Sequence, residues 1–500
     1  MGLPIRAHGY SWRHADRDSL AVGPVDLDIA PGEKVLLLGP SGAGKSTLLH
    51  AIAGVLPTEA GESAGDLLVG DAPPDPRRGV TGLVLQDPDS QVIFSRIGDD
   101  VAFGMENLGL PAEVVDARID ASLAAMGLDL PQSHPTAALS GGQKQRLALA
   151  GIHAMAPEVI VLDEPTANID PASARAVRDA VLTVQESTAA TMIVVEHRVS
   201  LWSDEVDTVI VLGRTGVVAH GTPDEVFGDP ALAEVLRTTG IWLPESGSRT
   251  APDRWTMPGR TGAQDRLGSP VLVGERLGVA RPRAAVPAAT DLDLEVRAGE
   301  ALGIVGANGA GKSTTALTLA GLIPEFSGEV RAAGPLAAGA KEARPFTWPS
   351  KFLAPRIGMV FQEPEHQFLK PSVAEELALG PRLAGWSAAE VDARVTDLLE
   401  TLGLSDIAEA HPQGLSGGEK RRLSVAAMIA PRPQVLIVDE PTFGQDALTW
   451  AGLVALFLDV LDHGSAVIAV SHDLDFLDAI GARRFTLGTS AQPLRGERVE

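Results

Sequence analysis

The chain has 500 residues and a formal net charge of −24. Surfaces that bind nucleic acid are basic, so this balance argues against nucleic acid as a partner. There is no cysteine, which excludes disulfides, iron–sulfur clusters and cysteine-held zinc. The 45% apolar and 21% charged residues are ordinary for a globular chain with room for two or three domains of ~150 residues. The segment Met1–Tyr10 lacks the apolar core of a signal peptide, and no apolar run approaches the ~18 residues of a membrane span. Action at a membrane would therefore rely on other chains.

In chain order, Val35–Leu38 is a short apolar run ending in glycine and reads as a buried strand. Gly39, Pro40, Ser41, Gly42, Ala43, Gly44, Lys45, Ser46 and Thr47 follow, opening a predicted helix over Ser46–Ala53. Next come Gln86-Asp-Pro-Asp-Ser-Gln91 and a mostly helical stretch, 90–135. Leu139, Ser140, Gly141, Gly142 and Gln143 then form a turn that opens another helix. Strands are predicted at Ile160–Leu162, ending in Asp163-Glu164, and at Met192–Glu196, ending in His197. Residues 244–270, rich in Pro, Gly, Ser and Arg, read as a linker between units 1–243 and 271–500.

The second unit repeats the order. Strand Leu302–Val305 leads into Gly306, Ala307, Asn308, Gly309, Ala310, Gly311, Lys312, Ser313 and Thr314, with a helix over Ser313–Ala320. Gln362-Glu-Pro-Glu-His-Gln367, a helical stretch 366–411, Leu415, Ser416, Gly417, Gly418 and Glu419 follow. Strands Val435–Val438 and Val467–Ser471 end in Asp439-Glu440 and His472. Glutamine, signature serine and glutamate each recur after 276 residues (86 and 362, 140 and 416, 164 and 440), and the lysines after 267. Residues 332–355 are additional in this unit and read as a surface loop, while Ala451–Leu461 reads as buried helix. Strands alternating with helices predict an α/β fold in each unit, a mainly parallel sheet with an inserted helical subdomain.

The residue types specify the chemistry. Glycines after a strand let backbone N–H groups converge on phosphate at a helix N-terminus. Lys45 and Lys312 can reach the β- and γ-phosphates, and Ser46 and Ser313 can ligate Mg²⁺. Asp163 and Asp439 at strand ends can hold the same ion, and Glu164 and Glu440 can polarise the attacking water. Both glutamates are present, so two hydrolytic sites are expected. His197 and His472 can donate to the γ-phosphate. The Ser-Gly-Gly turns form a second phosphate-binding helix end in each unit. A nucleotide is already wrapped by its own glycine loop, so the second end should serve the other unit. Two composite sites are expected, Lys45 with Ser416 and Lys312 with Ser140.

This combination resembles the ATP-binding-cassette family over both units, the signature turn being its most specific part. The resemblance implies an ATPase binding ATP and Mg²⁺, with Gln86 and Gln362 sensing the γ-phosphate and joining the magnesium shell. It places D-loops at Asn168-Ile-Asp170 and Gly444-Gln-Asp446. The second departs from the usual Leu-Asp ending, which implies asymmetric communication between sites. Tyr10, Trp12 and His14 are the first unit's candidates for stacking on adenine, with packing in a sheet as the alternative for Tyr10 and Trp12. The corresponding count in the second unit falls on Arg281.

Within the family, the Gln-acid-Pro-acid-x-Gln segments look like those of energy-coupling-factor importers. Each is followed by an acidic stretch and a Phe/Leu-Gly step, Asp99–Gly104 and Glu375–Gly380. In the family this region meets the coupling helices of the membrane partner, so Asp89 and Glu365 are expected to support that docking. The implied partners are a transmembrane coupling subunit and a membrane-embedded substrate-binding subunit, with the chain at the cytoplasmic face. Vitamin, thiamine-precursor and transition-metal cargo all stay open. Sugar or peptide importers, and non-transport members acting in translation or DNA repair, are the alternatives. The second unit's intact site argues against the sugar branch. The short linker and absent cysteines argue against the translation and repair types.

Overall fold

The computed structural model describes residues 2–488, apart from 16–18, 41, 167–168, 198, 214, 244–266, 416 and 443–444. The chain divides into two compact units, Met1–Gly247 and Ser248–Glu500. Most of the expected linker, and Ser41, Asn168, Ser416 and Gly444, lie outside the described residues. Pro270, at the linker's expected end, already begins the strand Pro270–Val279.

The first unit is built on a six-stranded sheet in the order Thr81–Val84, Val159–Asp163, Thr191–Val195, Lys34–Leu38, Thr208–Gly213, Gly216–Gly221. All neighbours pair in parallel except the last two strands. Val159–Asp163 and Thr191–Val195 are buried at every residue, as expected of strands covered on both faces. A second, antiparallel sheet (Val22–Ile29, Ile5–His14, Gly61–Val69) packs its apolar residues into the same core. The second unit repeats the plan. Five parallel strands run in the order Ile357–Val360, Val435–Asp439, Ala466–Val470, Ala301–Gly306, Arg483–Leu487. Its antiparallel sheet comprises Ala289–Arg297, Pro270–Val279 and Ser327–Ala332.

Between glutamine and signature lie helices Ile97–Asn107 and Ala112–Ala125 in the first unit, and Val373–Leu383 and Ala388–Thr401 in the second. The first pair packs on the signature helix Gly141–Met155, and Val373–Leu383 packs on Gly417–Ile429, to which Ala388–Thr401 is tied by Arg394 donating to Ile429 O at 3.4 Å. Helix Ala447–Asp462 is largely buried, as its composition predicts. Among the described residues no helix is long and apolar enough to cross a membrane.

Two expectations change here. The extra stretch of the second unit is more than a surface loop. Its short turns Gly334–Ala337 and Pro345–Thr347 deliver Leu336 and Trp348 into the core, and Arg356 stacks 3.6 Å from the Phe352 ring centroid. Tyr10 and Trp12 are buried in the first unit's core rather than offered to a ligand. An aromatic residue on a two-layered strand releases more free energy by burial than by facing solvent. Half-buried His14 remains in contact with Trp12, at 3.4 Å from its indole nitrogen.

Fully buried Trp450 donates its indole N–H to Asp473 Oδ2 at 2.8 Å, whereas Trp202 Nε1 finds no partner among the described residues. Trp450→Phe leaves a carboxylate short of a donor and should destabilise its unit by about 1–3 kcal/mol more than Trp202→Phe destabilises the other. Urea unfolding of the two variants measures this; equal losses would refute the hydrogen-bond argument.

Candidate functional site

In each unit the glycine loop joins the central strand to the helix Lys45–Ala53 or Lys312–Leu319. Gly44 and Gly311 cap these helices at φ 84° and 91°. A Cβ on Gly44 would stand 2.0 Å from the Ala21 carbonyl oxygen, so only glycine fits. Lys45 Nζ donates to Gly39 O (2.8 Å) and Pro40 O (3.1 Å), and Lys312 Nζ to Gly306 O (2.9 Å) and Ala307 O (3.1 Å). Both lysines are buried, with their charge held over the loop.

Asp163 and Asp439 end buried strands, each in a hydrogen bond with the serine after the lysine, Ser46 or Ser313. Burial pushes Asp163 up to about 6, against the Ser46 hydroxyl, and raises Asp439 by the same cause. A carboxylate so desolvated favours a nearby cation. Among the described residues no group of three His, Cys, Asp or Glu side chains could hold a metal by itself. One carboxylate, one hydroxyl and one glutamine amide per unit suit Mg²⁺, which keeps waters and shares phosphate oxygens.

The two glutamates share a feature that the sequence does not announce. Glu164 and Glu440 have φ of 47° and 50°, a left-handed backbone that residues other than glycine seldom adopt. Each donates its N–H to the end of the neighbouring strand, Val195 O or Val470 O, at 2.9 Å. The bend turns each carboxylate off the strand line.

Their surroundings differ. Glu164 Oε1 lies 3.0 Å from His197 Nε2, and Oε2 accepts from Gln86 Nε2 at 2.8 Å. Burial raises its pKa, but His197, Lys45 and Gln86 outweigh this and hold it below the usual glutamate range. Thus three expected residues meet in the first unit. In the second, His472 Nε2 is 3.9 Å from Glu440 Oε1 and 3.0 Å from Asn308 Oδ1 of the glycine loop. Glu440 instead accepts from the His472 and Ser471 N–H and O–H groups, at 3.1 and 3.3 Å, and burial raises it to about 7. Gln362, Asp439, Leu317 and Phe361 line a cleft of about 310 Å³.

The glutamine segments are fastened from within. Gln91 Oε1 accepts from Leu85 N (2.9 Å) and Gln367 Oε1 from Phe361 N (3.2 Å). Asp100 Oδ1 accepts from the N–H groups of Ile93 and Phe94, and Glu376 Oε2 from those of Leu369 and Lys370, all at 2.8–2.9 Å. The fastened backbone leaves Ile93 59% and Leu369 76% exposed at the same register. Asp89 and Glu365 pair with Lys144 and Lys420 of their own unit.

Ser140 caps its helix in a reciprocal box with Gln143, whose Oε1 accepts from Ser140 N at 2.9 Å. Gly417, Gly418 and Glu419 open the corresponding helix. At the expected D-loops, Asp170 accepts from Ser173 and Asp446 from Thr449 N, each acting as a helix cap.

A family model described as "ABC transporter" matches residues 22–167 and 289–443. Over 479 residues the chain is 34% identical to a protein of Bacillus subtilis (strain 168) named "Putative HMP/thiamine import ATP-binding protein YkoD", spanning 91% of this chain and 84% of that one. It is 32% identical over 511 residues to "Putative ABC transporter ATP-binding protein SCO2324" of Streptomyces coelicolor, spanning 92% and 88%. A solved structure named "RNase-L Inhibitor" covers 95% of this chain and 87% of its own at TM-score 0.59 and 18% identity, a likeness of fold alone.

Proposed function

Since the chain belongs to the ABC transporter family and is an ATPase of tandem nucleotide-binding units, we propose that it powers a membrane importer of the energy-coupling-factor type. The observation that carries this reading is the fastened apolar protrusion in each unit. Ile93 and Leu369 are exposed a few residues after Gln86 and Gln362, on backbone whose N–H groups the Asp100 and Glu376 carboxylates fasten. An apolar side chain presented on a preorganised loop fits a protein partner better than solvent. The Bacillus subtilis relative, named for HMP/thiamine import, supports an importer and favours a thiamine precursor among the open cargoes.

In this reading, ATP lies on the glycine loop with its phosphates on Lys45 or Lys312. Ser46, Gln86 and Asp163, or Ser313, Gln362 and Asp439, would hold Mg²⁺, which when bound screens phosphate charge. Glu164 and Glu440 orient water, while His197 and His472 donate to the γ-phosphate. The signature turns complete composite sites, Ser140 with Lys312 and Ser416 with Lys45. A transmembrane coupling subunit receives the motion at Ile93 and Leu369, a small membrane-embedded subunit selects cargo, and the chain works at the cytoplasmic face.

The test is purification from native membranes in gentle detergent, with every co-purifying chain identified. A polytopic coupling subunit with a small apolar binding protein is expected. A soluble receptor with a conventional permease would redirect the assignment to sugar or peptide import. Ribosomes or DNA without a membrane protein would overturn transport altogether.

A further inference from the structure

We propose that Lys144 and Lys420 are positioning residues. Each forms a strut with Asp89 or Glu365 that ties the nucleotide-sensing glutamine to the start of the signature helix in its own unit. This rests on the roles given above to Gln86, Gln362 and the signature turns.

Lys144 and Lys420 lie at the N-terminal ends of helices Gly141–Met155 and Gly417–Ile429. The helix dipole disfavours a cation there. Their side chains are only 16% and 13% exposed, while Asp89 and Glu365 stand 69% and 56% exposed, so the lysine stems are covered and the ion pairs face solvent. An acid placed beside such a cation offsets the unfavourable dipole and fixes where the lysine points. The acids come from 55 residues earlier in both units. Asp in one and Glu in the other reach the same partner, so the pairing is kept although side-chain length changes. The turn carrying Asp89 is set by Pro88 and by the Asp89 N–H bonded to Asp87 Oδ1 at 3.0 Å.

The next helix residue makes a second tie. Gln145 Nε2 donates to Leu85 O at 3.4 Å. Arg421, buried at the equivalent position, donates to Phe361 O at 3.0 Å and to Gln362 O at 2.5 Å. Two consecutive helix residues therefore grip the chain on both sides of Gln86 and of Gln362. A glutamine drawn toward a γ-phosphate must carry the helix with it. The grip is firmer in the second unit, where a guanidinium replaces an amide.

The test uses the full chain and measures kcat and KM for ATP together with the melting temperature. Asp89→Lys with Glu365→Lys should lower kcat about fivefold, as expected for coupled charges in contact, with KM changed less than about twofold and melting unaltered. Adding Lys144→Asp and Lys420→Glu, which restores opposite charges in reversed order, should return kcat to within about twofold of the parent. Lys144→Arg with Lys420→Arg should hold kcat at the parent level. A four-fold variant no better than the acid-reversed one, or an acid reversal without effect on kcat, would overturn the strut. Membrane-partner retention on the same variants checks docking separately. Acid reversal that abolishes co-purification while ATPase activity is unmoved would remove the strut and leave the importer assignment standing.

Discussion

Replacing Glu164 and Glu440 together by glutamine is expected to lower steady-state ATP turnover about a thousandfold while leaving ATP affinity within about threefold. The amide keeps the side-chain volume and can still hydrogen-bond to His197 or to the His472 N–H. It cannot orient water as an anion does. The lysines and glycine loops proposed to bind phosphate are untouched, so ATP should remain bound and unhydrolysed. Phosphate release and equilibrium binding, measured on the same preparation, check both halves. Full turnover in the double variant would remove the two glutamates from the reaction.

The second large effect concerns the loop lysines. Lys45 and Lys312 each rest on two loop carbonyls at 2.8–3.1 Å, and both are buried. The ammonium is therefore desolvated and held over the glycine loop. Truncating one partner of a buried charge pair costs about 2–5 kcal/mol, so Lys45→Ala with Lys312→Ala should weaken ATP binding about 100-fold or more. Titration with a fluorescent ATP analogue measures it. An affinity within threefold of the parent would show that the backbone N–H groups bind phosphate without the lysines.

Much of this architecture is legible in sequence because its strands are short, apolar and punctuated. Val35–Leu38 ends in glycine, Ile160–Leu162 ends in paired acids, and both are observed within a residue or so of the expected bounds. Such signals are local. What stays hidden depends on contacts between distant residues or on backbone angles. Nothing in the pattern of residues 332–355 says that Leu336 and Trp348 enter the core. Alternation along Ile5–His14 is compatible with Tyr10 facing either a ligand or the sheet, and the second layer decides it. The differing engagement of His197 and His472 turns on Asn308, a residue that as sequence reads only as part of a glycine loop.

The left-handed bend at Glu164 and Glu440 has a consequence for how such a chain can change over generations. Each bend holds roughly 1–3 kcal/mol of strain that glycine would relieve. Thermostability alone would therefore favour glycine at these positions, whereas the water-orienting role proposed for the glutamates would favour keeping them. A copy released from that role should lose the acid at these two positions before it loses the strands beneath them. A lineage's record at two codons then reports whether its engine was still in use.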